Sequence, residues 1–268
     1  MATHDVLVRG AGTVGLACAL ALARQGLSVA VLGGTAAPNA ADVRTYALNA
    51  ASVALLTALK VWPALPADAK TAVFDMHIEG DAPGAELDFS AWAQGSEQLA
   101  WIVDAAALEA ALATAAHYAP HVTWVDAEVP AALQVLAEGK ASATREKLGV
   151  AMPFQRYGQR AVAARLVAER PHGGLARQWF RSPDVLALLP FDSPQPSCSY
   201  ALVWSMPRER AHELMALDDS AFAAALMEAS RGEAGELTLA SPRAEWPLAI
   251  AEASAWSGPG WVLLGDAA

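Results

Sequence analysis

Three glycines in the run RGAGTVGLA, Gly10, Gly12 and Gly15, are spaced as a turn that can cradle a phosphate. Gly10 permits a tight turn off a preceding strand, Gly12 lets backbone N–H groups approach an anion, and Gly15 lets the following helix press close to that strand. Ala11, Thr13 and Val14 fill the remaining positions of the turn. An anion seated there meets the positive end of the helix dipole. Residues 4 to 32 supply what such a turn requires: an apolar strand before it, an Ala/Leu-rich helix after it, and a second apolar strand, VAVL. The reading is a dinucleotide-binding βαβ unit.

One element of that pattern is missing. The second strand of such a unit normally ends in a carboxylate that hydrogen-bonds a ribose hydroxyl. Here Val31 and Leu32 are followed by Gly33 and Gly34, and no carboxylate occurs before Asp42. The alternative reading of the run is an ordinary glycine-rich turn of an α/β protein. The two cysteines, Cys18 and Cys198, form neither a disulfide framework nor a metal-binding pattern, and the six histidines have no ligand spacing, so no metal is expected. His172, after Arg170 and Pro171, reads as a turn residue rather than a base. No Ser/His/Asp or Cys/His set suggests a nucleophile, and no catalytic residue is named.

At 268 residues the chain can bury a large core in one or two domains. A formal charge of −10 argues against nucleic acid as a partner, since a phosphate backbone calls for a cationic surface. No uncharged apolar run approaches the roughly 20 residues of a membrane span. The N-terminus has no basic region ahead of its first strand, so no signal peptide is expected and the cytoplasm is the expected location.

The rest of the chain must position the turn. Helical spacing runs from Thr45 to Leu59, with Arg44 at its entrance and Trp62-Pro63 as its stop. Residues 73 to 89 alternate and break at Asp81 to Gly84, a hairpin pattern. Asp104 is placed to cap a helix running to about Tyr118, and VTWV at 122 to 125 reads as a strand. Residues 133 to 149 read as a strand, a turn at Glu138-Gly139 and a short helix closed by Gly149. Short strands rich in Val, Phe, Trp and Leu from 150 to 206 predict an antiparallel sheet. A helical stretch over 208 to 231 opens at Pro207, with Asp218 or Asp219 capping its second half. The final residues, GWVLLGDAA, form an apolar strand running into Gly265-Asp266, an ending that reads as interrupted.

Taken together, these segments resemble the FAD-dependent aromatic hydroxylases of ubiquinone biosynthesis, within the flavoprotein monooxygenases that include p-hydroxybenzoate hydroxylase. GAGTVGLACALALARQG is similar to their first FAD motif, DVRTYALNAASVALLTALKVW to their Arg-x-x-Ala-Leu segment, and GWVLLGDAA to their second FAD motif. YGQRAVAARLVAERPHGGLARQWF, LALLPF and YALVWSMP are similar to their central sheet. The resemblance implies an α/β fold: a discontinuous Rossmann-like FAD-binding domain (1–72, 102–149, 258–268) and a substrate domain on a mostly antiparallel sheet (73–101, 150–257). It implies that Gly10 to Gly15 hold the FAD pyrophosphate, that Arg44 contacts the phosphates or closes over the flavin, and that Asp266, beside Gly265, accepts from the ribityl chain. Without the resemblance, Asp266 is an ordinary helix cap. Glu138-Gly139 stands where the family has Asp-Gly, which helps place FAD and NAD(P)H.

The implied reaction uses FAD, NADH or NADPH as reductant and O2, on the ring of a polyprenylated phenol. The implied setting is peripheral, at the inner face of a membrane, with other ubiquinone-biosynthesis proteins as partners. Phe154, Trp179, Phe180 and Trp204 are candidates to line the substrate pocket, though each aromatic also suits a core. Departures are glutamate at 138, a shortened stretch between Val125 and Leu133, and the lack of a His and Pro/Gly-rich loop after the Gly-Asp motif. Two other readings stay open: a flavoprotein acting on a different aromatic substrate, and a non-catalytic FAD-binding remnant.

Overall fold

A computed structural model describes residues 4–34 and 42–268. Residues 1–3 and 35–41, within the expected nucleotide-binding domain, lie outside the described residues. The chain opens with β1 (His4–Arg9), α1 (Thr13–Arg24) and β2 (Val29–Leu32), and continues with β3 (Thr45–Leu48) and α2 (Ala50–Ala58). Next come β4 (Lys70–Val73), β5 (Asp75–Glu79), β6 (Glu86–Ser90), β7 (Ala100–Asp104), α3 (Ala105–Tyr118) and β8 (Val122–Val125). Then follow β9 (Ala131–Leu136), α4 (Ala143–Lys147), β10 (Phe154–Ala168), β11 (Leu175–Arg181), β12 (Asp184–Phe191) and β13 (Ser199–Pro207). The chain closes with α5 (Arg208–Ala216), α6 (Asp219–Ala229), β14 (Leu237–Leu239), β15 (Ala244–Ala251), β16 (Ser257–Gly258) and β17 (Trp261–Leu263).

One sheet has the order β16-β17-β9-β1-β2-β8, with every pair parallel except β16 with β17. Its strands are short and apolar because helices cover them: Val6, Val8, Val29 and Val31 pack with Leu16 of α1 and Leu108 and Leu112 of α3. A second sheet, in the order β14-β10-β13-β12-β11-β5-β6 with β15 also on β10, is antiparallel except where β11 meets β5. Alternation sorts its faces. Val162, Leu166, Trp179, Leu188 and Trp204 point to a core closed by Phe222 and Leu226 of α6. A small antiparallel sheet, β3-β7-β4, completes the fold.

The helical periodicity read over Thr45 to Leu59 needs one correction. Thr45 to Leu48 pair with β7, and the helix begins only at Ala50, where the Asn49 side chain accepts from Ser52 N at 2.9 Å. A strand partner far away in sequence overrides the local pattern, and a β-branched and an aromatic residue at 45 and 46 favour that outcome.

Asp104 does two jobs at once. One carboxylate oxygen caps α3 by accepting from Ala107 N at 2.8 Å, and the other accepts from Arg165 Nη2 at 2.8 Å. That nitrogen also donates to Arg44 O at 2.9 Å, and the guanidinium stacks over Phe191 at 4.2 Å. Burial works against the charge on Arg165, while Asp104 and Asp42 sustain it. Replacing Asp104 with alanine therefore removes a cap and leaves a buried cation unpaired. The expected cost is about 3–5 kcal/mol, read as a lowered urea midpoint with an unchanged slope.

Candidate functional site

The three stretches singled out in the sequence end on adjacent strands. β1, β9 and β17 lie side by side and run parallel, so their carboxyl ends open on one edge. In an open parallel sheet that edge is where ligands bind. The glycine turn follows β1, Glu138-Gly139 follows β9, and Gly265-Asp266 follows β17.

Contact between them is close enough to require glycine. A Cβ on Gly15 would lie 1.9 Å from the carbonyl oxygen of Gly10, and one on Gly10 would lie 2.3 Å from that of Ala137. Gly10 also has φ +105°, outside the range of ordinary L-residues. The turn is thus wedged between the start of α1 and the end of β9. Gly265 (φ +63°) sits against Val14, 3.0 Å from its Cγ2 to a built Cβ. Gly12 differs from these. It is exposed, with φ −83°, and a Cβ there meets nothing within 4 Å. Its openness at the helix N-terminus, which has no side-chain cap, fits an anion rather than a packing need.

Arg44 stands at the same opening and already holds carboxylates. Its Nε donates to Asp42 Oδ1 at 2.9 Å and its Nη2 to Asp42 Oδ2 at 2.6 Å. This bond holds the Asp42 carboxyl below the usual carboxylate range. Nη2 also lies 3.5 Å from Glu109 Oε1, which accepts from Thr13 Oγ1 at 3.4 Å and from the Tyr46 hydroxyl at 3.5 Å. Nη1 donates to nothing among the described residues, and the side chain is 48 % exposed, so one edge of the guanidinium is open to an anion. Glu109 is a site residue that sequence reasoning missed. Its signal was there: it is the only acidic residue in the alanine-rich helix AAALEAALATAAHY.

The Glu138 carboxylate accepts from Ser142 Oγ at 2.5 Å and Thr144 Oγ1 at 2.9 Å, which orders the turn before α4. Buried Arg145 fastens that turn to the next: Nη2 donates to Lys140 O at 3.0 Å and Nη1 to Ala267 O at 3.2 Å. Asp266 is exposed and engages no described residue, leaving its carboxylate free to accept.

A cleft of about 740 Å³ separates these turns from the antiparallel sheet, lined by Arg44, Tyr46, Glu138, Val203, Trp246 and Asp266 among others. Of the four aromatics proposed for such a pocket, none lines it. Trp179 and Trp204 are fully buried in the core on the far side of the sheet, because on β13 it is Val203, one residue from Trp204, that faces the cleft. Phe154 and Phe180 are half exposed elsewhere. Trp246 on β15 takes the aromatic place. His172 is a turn residue as expected, its Nδ1 accepting from Gly174 N at 3.0 Å. Among the described residues no group of His, Cys, Asp and Glu could hold a metal.

Known proteins share this architecture. A probable FAD-dependent monooxygenase of Pseudomonas aeruginosa, PqsL, superposes with a TM-score of 0.79 over 98 % of this chain and 78 % of its own, at 20 % identity. The fold is that of the FAD-dependent monooxygenases. A flavoprotein/dehydrogenase from Cytophaga hutchinsonii gives a TM-score of 0.76 at 18 % identity, over 98 % of this chain and 71 % of its own. In sequence the chain is similar to the ubiquinone hydroxylase UbiL of Rhodospirillum rubrum, 28 % identical over 98 % of this chain and 66 % of that one. It is 27 % identical to the 3-demethoxyubiquinol 3-hydroxylase of Escherichia coli, over 98 % of this chain and 73 % of that one. The chain thus spans about two thirds to three quarters of the length of these hydroxylases. The UbiL alignment runs over 290 positions, more than the 268 residues here, so that relative carries segments this chain lacks. No protein-family profile matches the chain.

The glycine contacts set a test of the monooxygenase-fold turn that is independent of any ligand. Gly15→Ala drives a Cβ into a backbone carbonyl that cannot swing away. A loss of about 3 kcal/mol, the upper end for overpacking, is expected in chemical denaturation.

Proposed function

We propose that this chain is an FAD-dependent monooxygenase, using NADH or NADPH and O2 to hydroxylate the aromatic ring of a polyprenylphenol precursor of ubiquinone. One observation carries the reading: the glycine turn, the Glu138 turn and the Gly265-Asp266 turn converge on one sheet edge facing a cleft beneath an antiparallel sheet. The similarity to named ubiquinone hydroxylases supports the substrate class. In the balanced reaction an aryl C–H, O2, NAD(P)H and a proton become an aryl C–OH, NAD(P)+ and water.

The redox chemistry, two electrons from NAD(P)H and activation of O2, is what FAD supplies when bound. The chain's residues bind and orient. N–H groups of the Gly10 to Gly15 turn would hold the pyrophosphate, with the open edge of Arg44 as a charged second donor. Asp266 would accept from ribityl hydroxyls, and Glu138, itself held by Ser142 and Thr144, keeps its turn in place beneath. Val203 and Trp246 give the sheet side of the cleft an apolar surface suited to an aromatic ring. By the same reading a polyprenyl tail brings the protein to the inner face of a membrane peripherally, beside other proteins of the pathway. No helix among the described residues is long and apolar enough to cross one.

The test is flavin retention followed by turnover. The purified chain, mixed with FAD and desalted, is expected to keep a flavin absorbance band between about 350 and 500 nm and to oxidise NAD(P)H faster with a prenylated phenol present. Arg44→Ala should weaken FAD binding roughly 10- to 100-fold, the scale of a lost charged hydrogen bond. Gly12→Ala separates the site from the fold: the lost N-cap preference and the stiffer unfolded chain oppose each other, so stability should stay within about 1 kcal/mol of the parent, while FAD affinity falls roughly tenfold or more. A chain that retains no flavin defeats the proposal.

A further inference from the structure

The β2 terminus carries no acid, and the lattice of the parallel sheet shows where another stands. β2 and β8 pair in register, Val29 with Val122, Ala30 with Thr123, Val31 with Trp124 and Leu32 with Val125. The residues that directly follow the two strands are Gly33 and Asp126. Parallel neighbours lie roughly 4.8 Å apart, so a carboxylate directly follows β8 beside the strand end that lacks one. Resting on the FAD-binding reading, we infer that Asp126 is the residue of this chain that hydrogen-bonds the ribose hydroxyls of the adenosine half of FAD.

Three further observations agree. A cavity of about 620 Å³ opens at these strand ends, lined by Gly33, Gly34, Thr114, His117, Tyr118 and Asp126 among others. It adjoins the phosphate turn, since a Cβ on Gly33 would lie 3.6 Å from Ala11 N. A dinucleotide whose pyrophosphate rests on that turn therefore reaches the cavity with its second half. Gly33, without a side chain and with φ +131°, leaves the space between the turn and β8 clear. Asp126 is exposed and bonds to no described residue, so its oxygens are available to two adjacent hydroxyls. Asp42, the next carboxylate along the chain after β2, is not available in the same way, because Arg44 holds both its oxygens.

The test compares FAD with FMN, which lacks the adenosine half, by quenching of flavin fluorescence in titrations of the whole chain. Asp126→Ala is expected to raise the Kd for FAD roughly tenfold or more, and to leave that for FMN within about twofold. Its melting temperature should match the parent, since the side chain is exposed and bonds to no described residue. If the parent binds FAD and Asp126→Ala binds it equally well, the assignment is wrong while the FAD reading stands. Loss of FAD affinity in Asp42→Asn with none in Asp126→Ala overturns it likewise. Equal weakening for FAD and FMN overturns it too, because the effect then lies outside the adenosine half. A parent chain that binds FMN and FAD with the same affinity has no adenosine subsite and also overturns it. A parent that binds neither removes the FAD reading and this inference together.

Discussion

Arg165 ties together the parts of the molecule that the cleft separates. It projects from the antiparallel sheet, on the face opposite the Trp179 and Trp204 core, and its Nη2 reaches both the start of α3 and the carbonyl of Arg44. A buried guanidinium needs its partners, because desolvating a charge costs several kcal/mol unless close geometry compensates. Stacking on Phe191 fills the remaining side. The pair thereby sets how far the sheet stands from the residues that precede β3. Arg44, Tyr46 and, through α3, Glu109 inherit their positions from it.

Glycine plays the complementary part on the other side of the cleft. Arg165 holds two units at a set separation, whereas Gly10, Gly15 and Ala137 bring three backbones closer than any side chain would allow. The two constraints have different tolerances. Steric contact with a carbonyl admits no adjustment, while a charged side chain can reorient. Rigid turns therefore sit at one wall and adaptable groups at the other, with Arg44 in between carrying a bidentate carboxylate and one edge that no described residue holds.

Much of the architecture was legible where the signal was local. The βαβ unit, the hairpin broken at Asp81 to Gly84, the Asp104 and Asp218 caps and the antiparallel run after 150 all stand as the periodicities predict. Reading failed where tertiary partners decide. Thr45 to Leu48 look helical until β7 is alongside, and Trp204 looks like a pocket residue until the alternation of β13 turns it into the core. Trp246 escaped notice because nothing near it in sequence marks it, and Glu109, though the one acid of its helix, gives no hint in sequence of what it meets. Their roles come from tertiary neighbours: Thr13 at the start of α1 for Glu109, and for Trp246 the shared sheet face, across β10, that also turns Val203 toward the cleft. The turns at Glu138 and Asp266 could be located in sequence, yet the bridge between them through Arg145 could not.

The three turns belong to strands that begin at residues 4, 131 and 261. No partly folded stretch of the chain contains the assembled edge, since its pieces become neighbours only after the parallel sheet has closed. A molecule gripped across that edge binds the native state and almost nothing else. Its free concentration then adds directly to the free energy of unfolding, by RT ln(1 + [L]/Kd). Any ligand held across that edge therefore couples its own occupancy to the stability of the whole parallel sheet.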